Sequence, residues 1–365
     1  MVKVNNKKSQ SMVVKFIHTA DLHLRRDEPF GLDVLSWIVS KAEKLADALI
    51  IAGDLFESDV EASFLRSKVR SIFDKSKVPI LIVPGNHDYL SYSVQADYGK
   101  NVIVLKDSPS FFEFKGLKIV AIPFQPDSDF SQCMKKINLE PQIIITHGTF
   151  YDRLFPHIYR EVEEEEEIAE YMPIYRWDVE GKTTYLALGH YHSSFTEFNL
   201  NETCVVYPGS PVATSKRCIG QRYVAFLSFL SKKKVKVEKI AVDISPYWER
   251  CEWMVFPGKE KDVLDRIEKD LQRLASGKVM LDGRVKGSVG ISEGEFKENI
   301  RKIKESKGDF FKKIEICCEI KNWGELVKRP ILSLFIEKLG TKNIDEKIRD
   351  RALELTFSAL DKLRR

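Results

Sequence analysis

Five times along this chain a short aliphatic run stops abruptly at a histidine, an aspartate or an asparagine. The fullest case is Ile80-Leu81-Ile82-Val83 followed by Pro84-Gly85-Asn86-His87-Asp88. A β-branched run ending in Pro-Gly predicts a buried strand meeting a sharp turn. An amide, an imidazole and a carboxylate then stand together where the strand runs out, which in an open α/β sheet is the edge where ligands bind. Taken alone the turn decides little, because Asn, Asp and Gly are ordinary turn formers. The repetition decides it.

The other four runs follow the same plan. Val13–His18 leads into Asp21-Leu22-His23, where alternation aims an oxygen and a nitrogen donor at one point. Ala48–Ala52 ends in Gly53-Asp54, Ile143–Thr146 in His147-Gly148, and Tyr185–Leu188 in Gly189-His190-Tyr191-His192. The bland alternative for each aspartate is a helix cap, and for each histidine a surface position. Helical periodicity over Leu32–Leu45 and Ala62–Ser76 separates the first three strands and predicts α/β architecture with much parallel pairing. Phe111–Phe114 and Leu117–Pro123, joined by Lys115-Gly116, read as a hairpin, so the sheet is expected to be mixed. Val205–Tyr207 reads as a last strand, and Tyr223–Leu230 with Lys234–Val242 as a closing hairpin.

Composition shifts near Ile244-Ser245-Pro246. Beyond it, a helix over Asp262–Leu274, a strand over Gly283–Val289, a helix from Glu293 to Ser306 and a strand over Lys313–Ile320 predict a small α+β accessory domain of αββ type. In the tail, Ile344, Ile348, Ala352, Leu355, Ala359 and Leu363 recur at helical spacing, suited either to packing on the accessory domain or to a partner helix. The expected domains are therefore 12–243, 244–320 and 321–365.

No apolar run approaches the ~20 residues a membrane helix needs. The opening MVKVNNKKSQSMVVKF lacks an apolar centre and is no signal peptide; Met12 reads as an alternative start after a disordered extension, residues 1–11. Six cysteines without CxxC spacing read as reduced thiols of a cytoplasmic protein. A net charge of +4 permits a polyanionic partner without demanding one. The acidic run Glu161–Glu167 is expected as a solvated face, with the alternative that it fences the path of a nucleic-acid strand. His18 is expected in the core and His157 on the surface.

Five of the seven histidines follow the apolar runs. Asp21, His23, Asp54, Asn86, His147, His190 and His192 together offer seven oxygen or nitrogen donors, too many for one ion and suited to two if Asp54 bridges. Two divalent ions about 3.5–4 Å apart are standard apparatus for displacement at phosphorus. With no thiolate in the set, Mn²⁺ or Fe²⁺ is favoured over a structural zinc. His87 is left as the catalytic group, with Asp88 beside it to orient or charge it.

The order D-x-H, G-D, G-N-H-D, H-G, G-H-x-H resembles the calcineurin-like metallophosphoesterases. HTADLHL, IIAGDLFE, VPGNHD and YLALGHYH…VVYPGSPVA are similar to that superfamily's DNA-repair nuclease branch, the SbcD, YhaO and meiotic-recombination-eleven type. The resemblance spans residues 13–243 strongly and 244–320, where the branch has a DNA-capping domain, weakly. It implies a four-layer αββα sandwich. It places Asp21, His23, Asp54 and His192 on one metal, Asp54, Asn86, His147 and His190 on the other, and makes His87 catalytic. It further implies Mn²⁺-dependent 3′–5′ exonuclease and single-strand endonuclease activity and an SMC-like ATPase partner gripped at its coiled coil; a homodimer is compatible with the sequence but not read from it. The chain departs from the branch at Leu24-Arg25-Arg26, where the branch has Leu-Gly, and at Glu57, where it often has Asp. Arg25 and Arg26 suit a phosphate clamp or plain surface charge, and neither departure is expected to touch a ligand. Lys278, Arg284 and Lys286 are candidate DNA contacts, against the alternative of ordinary surface charge. A small-molecule phosphodiesterase would carry the same metal set without needing the accessory domain, and a pseudoenzyme scaffold would have lost ligands.

Overall fold

The computed structural model describes residues 13–93, 96–126, 129–152, 172–322, 330–341, 344–345, 348–349, 351–353 and 355–356. Residues 1–12, His157, the acidic run Glu161–Glu167 and the tail positions Ala359 and Leu363 lie outside the described residues.

The first compact unit runs to Ser245. Its strands are β1 (Val14–Thr19), β2 (Ala48–Ala52), β3 (Ile80–Val83), β4 (Val102–Val104), β5 (Ser110–Phe114), β6 (Leu117–Ile122), β7 (Ile143–His147), β8 (Phe150–Tyr151), β9 (Ile174–Tyr175), β10 (Tyr185–Gly189), β11 (Thr196–Leu200), β12 (Thr203–Tyr207), β13 (Tyr223–Ser231) and β14 (Lys234–Ala241). They build two six-stranded sheets, ordered β14-β13-β1-β2-β3-β4 and β11-β12-β10-β7-β6-β5. β1 to β4 pair in parallel, as do β12, β10, β7 and β6, while β13, β14, β11 and β5 add antiparallel strands. Both sheets are thus mixed.

Alternation along each strand builds the layers. Ala48, Ile50 and Ala52 of β2 join Phe16, Leu81 and Val83 in one cluster with Ile143, Ile145, Tyr185 and Ala187 of the second sheet. Leu49 and Ile51, on the other face, pack against helix α1 (Gly31–Leu45) and helix α2 (Asp59–Phe73) through Val34, Leu35, Ile38, Leu65 and Val69. The outer face of the second sheet, including Ile144, Leu186, Leu188 and Val205, is covered by Phe130 and Cys133 of the helix Phe130–Lys135 and by Val179. The result is helix, sheet, sheet, helix, the four-layer αββα sandwich. Helix α2 begins before the apolar periodicity does, because the Ser58 side chain caps Glu61 N and Asp59 and Glu61 favour the positive end of the helix dipole.

The second unit, from Pro246, carries β15 (Tyr247–Val255), a helix Glu260–Leu274, β16 (Ser276–Val289), a helix Glu293–Lys307 and β17 (Phe311–Asn322). Its three strands are all parallel in the order β15-β16-β17. The expected αββ order therefore becomes βαβαβ, and the unit is α/β in character rather than α+β. The missed strand is β15, whose alternation is broken by Glu249, Arg250 and Glu252. Val263, Ile267 and Leu271 of one helix and Phe296 and Ile300 of the other pack on Val279, Leu281 and Val285 of β16. No helix among the described residues is long and apolar enough to cross a membrane.

Candidate metal centre

The five parallel strands that end in polar residues, β1, β2, β3, β7 and β10, are neighbours within their sheets, and β2 lies against both β7 and β10. Their carboxyl ends therefore meet at one edge of the sandwich. The loops after β1 and β2 are tied together by Asp21 N donating to Gly53 O (3.1 Å), His23 N to Asp54 O (3.0 Å) and Leu24 N to Leu55 O (3.0 Å).

The backbone there is held in uncommon conformations. Asp21 (φ 55°), His23 (φ 46°), Asp54 (φ 48°) and His190 (φ 103°) are four of the seven non-glycine residues with positive φ among the described residues. Such strain persists only where surrounding structure imposes it, and its concentration at one edge marks a site built for geometry. Glycines make the close packing possible. A Cβ on Gly53, at φ +92°, would lie 2.0 Å from His147 Nδ1, and one on Gly85 would lie 2.1 Å from Asp54 Oδ1.

All the sequence-predicted donors gather at this edge. Asp21, His23, Asp54 and His192 each present an atom within 4.8 Å of the others. His23 Nε2 and His192 Nε2 lie 3.0 Å apart, the spacing of two nitrogens bound at right angles to one ion with bonds of about 2.1 Å. On the other side of Asp54, His147 Nε2 is 3.1 Å from Asp54 Oδ2 and 2.9 Å from Asn86 Oδ1. The His190 ring packs edge-on to that of His147, with centroids 5.4 Å apart. Its backbone N donates to Asp21 Oδ1 at 2.9 Å.

This donor set fits cations, and Asp54 says so most clearly. Its Oδ1 accepts from His87 N at 2.9 Å, whereas Oδ2 is buried without a hydrogen-bond partner between His147 Nε2 and His23 Nε2 (3.6 Å). His147 makes the same point. Its Nδ1 donates to the Ala52 carbonyl at 2.9 Å, which turns Nε2 toward Asp54 Oδ2 and Asn86 Oδ1. A cation among these buried atoms would satisfy them together.

The electrostatics agree. Burial works against both Asp21 and Asp54, yet the facing His192 and His147 hold each carboxyl below its ordinary range. Burial would lower His147 and His192, but Asp54 and Asp21 respectively raise them to about 9. Burial, reinforced by those two rings, lowers His190 to about 3, and burial also lowers His23. The carboxylates are kept ionised, two imidazoles are kept neutral, and the other two take up the positive charge the centre calls for.

Two expectations need correction. Asp88 does not orient His87: its carboxylate accepts from Gly85 N (2.9 Å), Leu55 N (2.8 Å), Phe56 N (3.2 Å) and the Tyr92 hydroxyl (2.7 Å), bracing the two loops. The imidazole of His87 is oriented by Nδ1 donating to the Glu57 carbonyl at 3.0 Å. Glu57 also touches a ligand after all, since its Oε2 lies 3.0 Å from His23 Nδ1. Sequence reading missed it because the contact is made across two loops. Arg26 is engaged by Glu61 through several hydrogen bonds and stacks 3.8 Å over Phe64, and of these two neighbours it is Arg25 that lines the cavity with the metal donors. In the second unit Arg284 is 3.4 Å from Asp282 and Lys286 is 3.3 Å from Glu252, while Lys278 is exposed. His18 is fully buried, with Nδ1 2.8 Å from the Tyr185 hydroxyl.

The carboxylate of Glu57 holds the tautomer of His23 that turns Nε2 toward the other donors. Glu57→Gln is therefore expected to weaken divalent-ion affinity by about 10–100-fold, measured by equilibrium dialysis. Unchanged affinity would remove Glu57 from the centre.

Residues 14–194 match the family model described as calcineurin-like phosphoesterase. No curated protein matches the chain at a significant level. Among solved structures the chain is similar to a conserved uncharacterized protein, a predicted phosphoesterase, from Streptococcus pneumoniae TIGR4 (15% identity, 65% of this chain, 94% of that one, TM-score 0.34). It is similar also to the purple acid phosphatase PPD1 from yellow lupin seeds (12%, 66%, 53%, TM-score 0.41). A third likeness is to a dimetal phosphatase from Danio rerio (10%, 63%, 96%, TM-score 0.39).

Proposed function

With membership of the calcineurin-like metallophosphoesterase superfamily supported by that family match, we propose that this chain is a metal-dependent DNA nuclease of the repair type. Hydrolysis of a phosphoester by a metal centre is the coarser statement, and DNA as substrate is the finer one. The observation that carries the reading is the buried, unpartnered Asp54 Oδ2, with Asp21, His23 and His192 gathered to one side and His147 and Asn86 to the other.

Asp21, His23, Asp54 and His192 would hold one divalent ion, and Asp54, Asn86, His147 and His190 the other. Such ions supply Lewis-acid polarisation of phosphoryl oxygens and activate water at neutral pH. Mn²⁺ or Fe²⁺ suits this set, because the candidate metal-binding groups among the described residues contain no cysteine. Asp54, through Oδ1, fixes the backbone of the turn that carries His87. His87 lines the same cavity as the donors, and its Nδ1 is committed to the Glu57 carbonyl. Nε2 is then the atom that holds or gives a proton at the leaving oxygen.

Three features support DNA over a small metabolite. The strings quoted above resemble those of the repair-nuclease branch. The cavity measures about 220 Å³ and is lined largely by polar side chains, against roughly 300–1,000 Å³ for sites that enclose a small ligand. It suits one phosphodiester of a longer chain lying across it. The second unit also goes beyond what hydrolysis of a small ester requires. An SMC-like ATPase partner fits the tail, where Leu334, Ile348 and Leu355 are exposed.

The test is Mn²⁺-supplemented cleavage of end-labelled single- and double-stranded DNA, with bis-p-nitrophenyl phosphate alongside. Wild type is expected to degrade DNA. His87→Ala is expected to lower kcat by about 10²–10⁴-fold with its metal content intact. Turnover of the small diester alone would keep the phosphoesterase and reject DNA as substrate.

A further inference from the structure

Beyond the metal donors, one wall of the cavity is the turn Thr214–Cys218, which brings Arg217 to the rim, and Arg25 lines the same cavity. The turn is built as a fixed object. Cys218 N donates to Ser215 O at 3.1 Å, Arg217 N to Ser215 Oγ at 3.2 Å, and Ile219 N to Arg217 O at 2.8 Å. Cys218 Sγ lies 3.4 Å from Thr214 Oγ1 and 4.0 Å from the His192 carbonyl.

Behind it stands Arg222, one of the largest fully buried side chains, at 2% exposure. Its guanidinium donates to the carbonyls of Ser210 (2.8 Å), Ser193 (2.8 Å), His192 (2.5 Å) and Ile219 (3.4 Å). One buried cation therefore fastens the end of the rim turn to the backbone of a metal donor. The turn that carries Arg217 is thereby tied to the backbone of His192.

Charge indicates what this rim is for. Asp21, Asp54 and Glu57 bring three negative charges to the cavity, and two divalent ions would leave it with one positive charge in excess, enough for a single phosphodiester. Arg25 and Arg217 bring guanidinium groups to the same cavity. Arg25 pairs with Asp27 at 3.1 Å, the aspartate being 81% exposed, a contact that solvent already weakens. The planar guanidinium presents paired donors that match phosphate oxygens.

We propose that the Thr214–Cys218 turn is a phosphate-reading rim, in which Arg217, with Arg25, binds the phosphate next to the scissile one. The site then selects substrates that carry consecutive phosphodiesters. This rests on the nuclease reading of the centre and deepens it to a statement about substrate class.

The experiment compares two chromogenic diesters, p-nitrophenyl thymidine 5′-phosphate and its congener with a second phosphodiester on the 3′ oxygen. With Mn²⁺-loaded wild type, kcat/KM is expected to favour the second compound about tenfold or more. Arg217→Ala should bring that ratio close to one, Arg217→Lys should keep part of it, and Arg217→Glu should invert it. A ratio near one in wild type, or a ratio unmoved by Arg217→Ala and Arg217→Glu, overturns the rim. A two-phosphate preference without cleavage of polymeric DNA keeps the rim and rejects the nuclease. No turnover of either diester rejects the phosphoesterase and the rim together.

Discussion

Asp54→Asn is expected to lower turnover of any phosphodiester by about a thousandfold or more, roughly 4 kcal/mol of transition-state stabilisation. The side chain is fully buried, and its Oδ2 lies between His147 Nε2 and His23 Nε2 without a hydrogen-bond partner. An amide keeps the shape and removes the charge on which both halves of the centre depend. It also puts either an N–H or a weakly basic oxygen where the bridging donor is needed. The measurement is kcat with bis-p-nitrophenyl phosphate beside metal content after dialysis, with wild type retaining two ions and the variant fewer. A variant that keeps two ions and near-wild-type kcat would remove Asp54 from its bridging place.

Gly53→Ala is the second large effect, and it reaches the same centre through the backbone. The added methyl would sit 2.0 Å from Nδ1 and 2.4 Å from Cγ of His147. His147 cannot step aside without losing its hydrogen bond to Ala52 O. Overpacking of this kind costs about 1–3 kcal/mol, and the left-handed φ of +92° adds about 1–2 kcal/mol for any residue with a Cβ. The variant is expected to unfold about 3 kcal/mol more easily in urea and to lose metal affinity with it. Gly116→Ala is the control, with φ +79° and nothing within 4 Å of the new methyl, so only the backbone cost of about 1 kcal/mol remains. Equal losses in the two variants would show that contact with His147 is not what Gly53 avoids.

The donors were legible in the sequence because each follows a buried strand immediately, and strand ends in a parallel sheet share one edge by construction. Asp21, Asp54, His147 and His190 needed no knowledge of contacts across the fold, only the recurrence of one local pattern. The α/β class with much parallel pairing was legible in the same apolar runs, whereas the four layers were implied by the family resemblance. What escaped was whatever two distant segments make together. Glu57 meets His23 across two loops, and Arg26 meets Glu61 from 35 residues away. Asp88 stands beside His87 in sequence, but its carboxylate turns to Leu55, Phe56 and Tyr92. Adjacency in sequence suggested a pair where the turn sends the two side chains to different partners. In the second unit, β15 was hidden because charged residues interrupt its alternation, and the ladder they form with Asp282 and Lys286 exists only once the strands are paired.

The central claim is that one buried aspartate is shared by two divalent ions. Anomalous diffraction at the manganese edge, from crystals of the Mn²⁺-loaded protein, tests it most directly. The account predicts two peaks per chain about 3.5–4 Å apart, flanking Asp54, with His23 and His192 beside one and Asn86 and His147 beside the other. A single peak, or two peaks that do not share Asp54, would contradict it.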